Sequence, residues 1–146
     1  MKPLQKGGLL SKSMIAIIGI SPAIAFADNS GHAIRDKVNQ GLNIAGAAQT
    51  LVSDNVRRAA PDFSRGWTSQ ELSGLNHFVN SIRIDSATGV ITVNYTEQAK
   101  KIIIKLTPSA GGAGLVGGTT PLEDISWQCA VSDASNNKFV PDNCRM

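Results

Sequence analysis

Two cysteines near the carboxyl end are the feature that most restricts what this chain can fold into. Cys129 and Cys144 are the only cysteines among the 146 residues, and they follow an amino-terminal segment typical of exported proteins. In an oxidising compartment, two cysteines of a small exported domain usually form a bond. Closing a loop of this size is worth roughly 3 kcal/mol. The pair therefore predicts a disulfide-closed polar loop, which favours an exposed assembly or adhesion subunit over an enzyme.

The basic charge of the chain comes entirely from its amino-terminal segment. The whole sequence has 14 Lys and Arg residues against 11 Asp and Glu residues, a net charge of +3. Lys2, Lys6 and Lys12 lie in the first 27 residues, and residues 28–146 contain 11 basic and 11 acidic groups. Without a global basic field, the sequence gives no strong nucleic-acid signal.

Residues 1–27 have the layout of a leader, and one interpretation is a cleaved secretory signal. A positively charged start precedes an apolar run, and Ala25 and Ala27 supply the small residues that a signal peptidase requires. Pro22 is expected to break the helix just before this site. Cleavage there would leave residues 28–146 as the mature domain.

The second interpretation places the cleavage between Gly7 and Gly8. A short basic leader that ends in glycine and precedes an apolar helix is the prepilin type of signal, in which the apolar part remains as an anchor. The stretch without charge, residues 13–27, is about 15 residues long, whereas a spanning helix needs roughly 20. The residues therefore leave both processing sites open.

Hydrophobic periodicity predicts one helix followed by four strands. After a polar break at residues 28–32, apolar residues recur at steps of three and four from Ala33 to Ala59. From residue 77 the period changes to two, as expected for strands. The predicted strands are residues 78–84, 90–95, 101–107 and 123–131, with a hairpin turn at 85–89 and a glycine-rich loop at 108–121. Short connections predict an antiparallel meander, and therefore an α+β fold with the helix packed across one sheet face.

The sequence contains no assembled catalytic, metal or cofactor site. His32 and His77 are the only histidines, and neither has the spacing of a metal ligand. The glycine-rich loop has no Gly-Lys-Ser/Thr ending and does not lead into a helix, so it is not a phosphate-binding loop. Trp67, in a connector rich in turn formers, is predicted to cover the core. We therefore predict a protein that is not an enzyme and has no metal or cofactor.

The chain resembles the major subunits of bacterial type IV pili of the IVa class. The resemblance runs from Ala33 to Arg145 and includes the motif ISWQC at 125–129 and VPDNCR at 140–145. The remaining similar segments are 34–43 in the helix and 79–84, 88–93 and 102–108 in the strands. The start, residues 1–7, also resembles a prepilin leader, and residues 16–20 resemble part of the pilin anchor.

The resemblance implies a pilin-like roll and a structural role without catalysis. It implies polymerisation with other pilin subunits by an assembly machinery, after residence in the inner membrane, into a retractile surface fibre. Such fibres serve attachment to host or abiotic surfaces, twitching motility and, in some members, DNA uptake. The alternative is a secreted, soluble pilin-like domain that binds a surface or partner without polymerising.

The amino-terminal segment departs from the family pattern at two positions. Pilins have an aromatic residue directly after the cleaved glycine and a glutamate four positions beyond it. Here Gly8 follows Gly7, and Lys12 stands at the position of the glutamate. A lysine inverts the charge of the side chain that normally helps a subunit to enter the fibre.

Overall fold

The computed structural model describes residues 8–68 and 77–146, with side chains described from residue 31 onward. The chain divides into two compact units, Met1–Ala33 and Ile34–Met146. The second unit contains the sheet and the disulfide, and we call it the head.

Helix α1 spans Gly8–Arg57. The predictions that Pro22 breaks the helix and that residues 28–32 form a polar break are wrong, because the backbone is helical at all of these positions. An internal proline removes one helical hydrogen bond and crowds the preceding turn, which can kink a helix without ending it, and Asp, Asn and Ser have only modestly lower helix propensity than apolar residues. Within the described residues, no helix combines the length and apolarity needed to cross a membrane.

Five antiparallel strands form the sheet, and their order confirms the predicted meander. Strand β3 lies between β2 and β5, and β2 lies between β1 and β3. The bounds are Val79–Ile84 for β1, Ile91–Tyr95 for β2, Ile103–Ala110 for β3, Ala113–Gly114 for β4 and Ile125–Val131 for β5. With α1 on one face of this sheet, the predicted α+β pilin-like roll is confirmed.

The glycine-rich loop is shorter than predicted, because the third strand continues through Pro108. Strand β3 ends at Ala110 and turns through Gly111 and Gly112 into the two-residue strand β4, which pairs with its final residues. Pro108 is tolerated in the ladder where it faces Trp127 of β5. The sheet therefore has five strands, where the sequence predicted four.

A β-bulge changes which residues of the first strand face the core. The pairing shifts between Val79 and Ser81, so that Val79 faces Tyr95 and Ser81 faces Asn94. Val79 is consequently buried, and Phe78, which simple alternation would place on the same face as the buried Ile82, is only partly buried. A bulge inserts one extra residue and thereby reverses the alternation on one side of it.

The core lies between α1 and the inner face of the sheet. Its helix stripe includes Val38, Ala45, Ala48 and Val52, all with no exposed area. The largest fully buried side chains from the rest of the head are Phe63, Ile82, Ile91, Ile102 and Ile104. Trp67 packs against this cluster and donates its indole N–H to the Ile82 carbonyl at 2.8 Å, so the predicted cover of the core is confirmed.

The predicted hairpin turn at residues 85–89 is organised by one carboxylate. Asp85 Oδ1 accepts hydrogen bonds from the Ala87 N–H at 2.9 Å, the Thr88 N–H at 2.8 Å and the Thr88 hydroxyl at 2.9 Å. Gly89 completes the turn with φ of 76°, a conformation that favours glycine. The bonds from Thr88, first from its backbone and then from its side chain, hold the pKa of Asp85 below its ordinary value.

We expect this turn to lose stability in acid. A lowered folded-state pKa stabilises the fold above the ordinary value of 3.8, and this contribution disappears as the pH falls through the folded value. The variant Asp85→Asn keeps an acceptor oxygen but cannot titrate, so its melting temperature should fall less between pH 5 and pH 2.5 than that of the parent. Parallel pH profiles for the two proteins would contradict this role for Asp85.

Candidate functional site

The carboxyl-terminal segment is held against the sheet by the disulfide. Cys129 lies in β5, Cys144 lies in the short 3-10 helix Asp142–Cys144, and their Cα atoms are 4.5 Å apart. Both sulfurs belong to the core, with Cys144 only 1% exposed. Residues 130–143 are therefore fixed at the end of the sheet, and their polar side chains face outward.

Local hydrogen bonds give this segment a defined conformation. Asp133 accepts a hydrogen bond from the Ser135 N–H at 2.9 Å and caps the 3-10 helix Ala134–Phe139. The same bond is the main reason that the pKa of Asp133 is lowered. Asn137 bonds to the backbone of Met146 through both its side-chain atoms, and its carbonyl accepts from Arg145. Val140, 2% exposed, anchors the middle of the segment in the core.

Helix α1 binds this segment directly. Arg35 Nε donates a hydrogen bond to the Lys138 carbonyl at 2.8 Å, across 103 residues of sequence. Two residues later, Lys37 Nζ donates to the Gln98 carbonyl at 3.2 Å, in the turn between β2 and β3. One turn of α1 therefore positions the disulfide segment and the β2–β3 turn at the same end of the head.

Lysines and phenylalanines are interleaved at this end. The ammonium groups of Lys100 and Lys138 lie 5.5 Å and 5.2 Å from the centre of the Phe139 ring. Lys37 lies 5.2 Å from the centre of the Phe78 ring. These distances are within the range of cation–π attraction. We call the group Arg35, Lys37, Lys100, Lys138 and Phe139 the basic-aromatic surface.

A buried tyrosine fixes the height of α1 above the sheet near this surface. Tyr95 is 3% exposed and donates its hydroxyl to the Val38 carbonyl at 2.6 Å. Burial raises the pKa of Tyr95 well above its usual range, so the phenol remains a donor at all physiological pH values. Gly41 makes this approach possible, because a Cβ there would lie 2.6 Å from the Tyr95 hydroxyl oxygen and 2.7 Å from Cζ.

The opposite end of the head presents an ordered loop with an exposed leucine. Leu122 is 98% exposed and Val116 is 65% exposed. The loop is nevertheless held to the end of α1, because the Gly118 N–H donates to the Ala60 carbonyl at 3.0 Å and the Thr120 hydroxyl donates to the Val56 carbonyl at 3.1 Å. We call residues 121–124 the leucine loop. In this loop, Leu122 is followed by the two acidic residues Glu123 and Asp124.

The remaining predicted sites are distributed along the chain without converging. Gly7 lies outside the described residues, and Gly8, Ala25 and Ala27 lie in α1. His32 and His77 are exposed. Across residues 8–68 and 77–146, no three His, Cys, Asp or Glu side chains are grouped closely enough to hold a metal ion.

The sequence did not predict the contact between α1 and the disulfide segment. Neither Arg35 nor Lys138 carries a signal of its own, because their bond exists only after α1 has packed on the sheet. Gly41 did carry one, since an isolated glycine in a helical pattern often marks a close approach of another group.

A family model for the pilin of bacterial filaments matches residues 35–145. The chain belongs to the pilin family. The match begins at Arg35 and ends at Arg145, so it includes the α1 contact to the disulfide segment and the disulfide itself. This pilin is a structural subunit of a surface fibre, and its family is a structural one.

Two curated relatives align with almost the whole chain. The chain is 28% identical to the fimbrial protein EcpC of Eikenella corrodens over 159 aligned positions, which cover 99% of this chain and 94% of the relative. It is 27% identical to the type IV major fimbrial protein FimA of Dichelobacter nodosus, with 99% of both chains covered. The predicted resemblance to type IV pilins is confirmed, and this pilin is an exported protein of the pilus or cell surface that assembles with other pilin subunits.

Proposed function

We propose that this pilin is the polymerising subunit of a type IV pilus, cleaved between Gly7 and Gly8, with α1 retained as its assembly helix. The observation that carries the proposal is the continuity of α1, whose backbone is helical through Ala25 and Ala27 and onward to Arg57. The relatives support the same route, because FimA aligns with 99% of this chain, residues before position 28 included.

The proposal assigns the exposed polar part of the disulfide segment, residues 132–135, to the outer surface of the fibre. The segment is polar, rigidly held, and placed at the end of the head where α1 begins to pack on the sheet. We propose that it contributes to attachment to surfaces, and that the fibre is built by an assembly machinery and supports twitching motility and DNA uptake. Deleting the gene and restoring it should abolish and restore fibre-dependent attachment and movement.

The alternative function is a secreted, soluble pilin-like domain. It is favoured by Lys12, which stands where pilins have a glutamate, and by the short stretch without charge at residues 13–27. Cleavage after Ala27 would then release residues 28–146, and the head would act without polymerising.

The amino-terminal residue of the mature protein distinguishes the two functions. We expect mass spectrometry and amino-terminal sequencing of protein recovered from the cell surface to find Gly8 with a methylated amine. A variant with Gly7→Ala should accumulate unprocessed, while Ala27→Leu should be processed as the parent is. A mature protein beginning at Asp28 would contradict polymerisation through α1 and favour the soluble domain.

A further inference from the structure

We propose that the leucine loop of one head docks onto the basic-aromatic surface of a second copy of this chain. This contact would link successive subunits, and the proposal rests on the proposed function as a polymerising pilin. It concerns residues of the head alone and is separate from the packing of the α1 helices.

The two surfaces lie at opposite ends of the head. The basic-aromatic surface contacts α1 at Arg35, whereas the loop leading to Leu122 contacts α1 at Val56. With a helical rise of about 1.5 Å per residue, these two points are roughly 30 Å apart along α1. A single head therefore cannot bring its own leucine loop onto its own basic-aromatic surface.

The positively charged side chains of the basic-aromatic surface are available to form ion pairs with a partner. At this end, Lys101 pairs with Glu97 at 3.0 Å, and Arg145 pairs with Asp142 at 3.0 Å. No ion pair with any described residue is formed by the four cations of the basic-aromatic surface, Arg35, Lys37, Lys100 and Lys138. Three of them, Arg35, Lys100 and Lys138, are exposed to solvent. Their contacts are instead with backbone carbonyls and aromatic rings.

The leucine loop has the complementary properties. Glu123 and Asp124 are exposed, and neither forms an ion pair with another described residue. Leu122, directly before them, is 98% exposed, and the chain just before the leucine loop is hydrogen-bonded to the end of α1 through Thr120. An apolar side chain followed by two carboxylates is complementary to an aromatic ring that has ammonium groups beside it, because each contact pairs opposite charges or apolar groups.

The charges also decide between a symmetric dimer and a chain of copies. Two leucine loops would place carboxylates against carboxylates, and two basic-aromatic surfaces would place cations against cations, so both symmetric contacts are repulsive. Docking of one surface onto the other is heterologous. A heterologous contact that does not close into a ring continues indefinitely and produces a filament.

Reciprocal charge reversal in the full chain tests the docking. Cells that process and assemble the parent chain are made to express Glu123→Lys with Asp124→Lys, Lys100→Glu with Lys138→Glu, or all four substitutions together. Each pair alone should reduce the fibre recovered by shearing about tenfold, because like charges then face each other across the contact. The four substitutions together should recover most of the loss.

A matched control changes the same amount of charge away from both surfaces. Arg83 and Lys105 are exposed on the outer face of the sheet. The double variant Arg83→Glu with Lys105→Glu should therefore assemble as the parent does. Folding of every variant is checked by its intact disulfide and its melting temperature.

A photo-crosslinker gives an independent readout. Benzoylphenylalanine placed at position 122 should link, in assembled fibres, to peptides of a neighbouring copy that contain Lys100 or residues 134–146. Fibres from the parent with equal yields from all reversal variants, or crosslinks confined to other peptides, would overturn the docking alone. Absence of fibres from the parent itself would contradict the proposed function as well.

Discussion

Replacing Cys129 and Cys144 together with serine is expected to lower the free energy of unfolding by about 3 kcal/mol. The bond closes a loop with a sequence separation of 15 residues, and its loss frees the unfolded chain to adopt more conformations. For a domain of this size the melting temperature should fall by roughly 10 °C. Thermal unfolding of the detergent-solubilised full chain, followed by circular dichroism, measures the change.

Reducing agent provides the control for the cysteine experiment. With dithiothreitol present, the parent should approach the melting temperature of the double serine variant, because both then lack the bond. The serine hydroxyl at position 144 is buried, since Cys144 is 1% exposed, so the variant should remain slightly less stable than the reduced parent. Equal melting of oxidised parent and variant would show that the bond contributes nothing to stability.

The substitution Gly41→Ala is expected to destabilise the head by about 2–3 kcal/mol. The new Cβ would overlap the ring and hydroxyl of Tyr95, which is 3% exposed and has no open space into which it can turn. Either α1 moves away from the sheet or the Tyr95 hydroxyl loses its bond to the Val38 carbonyl. Urea unfolding, with the midpoint and slope compared against the parent, measures the loss.

Gly46→Ala is the matched control, because it makes the same change in the same helix. A Cβ at position 46 would meet nothing within 4 Å. Alanine should therefore stabilise the helix by roughly 0.5–1 kcal/mol, through its higher helix propensity. If both alanine variants were stabilised equally, the close approach of Tyr95 to α1 at Gly41 would be refuted.

The layout of the head could be predicted from sequence because its signals are local. Strands β2, β3 and β5 each alternate more buried with more exposed residues, and the hairpin turn carries Asp85 and Gly89 at the required positions. The cysteine pair could be predicted because the sequence contains only two cysteines. Because a bond between these two cysteines must close the polar segment between them, the fixation of that segment beside the last strand could be predicted as well.

Other features depend on tertiary contacts and left no local signal. The bulge between Val79 and Ser81 replaces Phe78 by Val79 on the core face, and alternation alone assigns the wrong member of that pair. The extension of β3 to Ala110 needs β5 alongside it, because Pro108 argues against a strand when read alone. The basic-aromatic surface is likewise assembled from three separate stretches of the chain.

The Arg35–Lys138 bond has a consequence for the order in which the head can be completed. It joins residues 103 positions apart, whereas the β1–β2 and β2–β3 pairings close over short turns. Local pairings form early and distant ones late, because a long loop must lose more entropy before its contact forms. The hairpins can therefore form while the chain is still emerging from the export channel, but the contact of Arg35 cannot form until residue 138 has emerged. A chain that had emerged only as far as residue 137 would already hold α1 on the sheet through the Tyr95–Val38 bond, and the contact of Arg35 would be added afterwards.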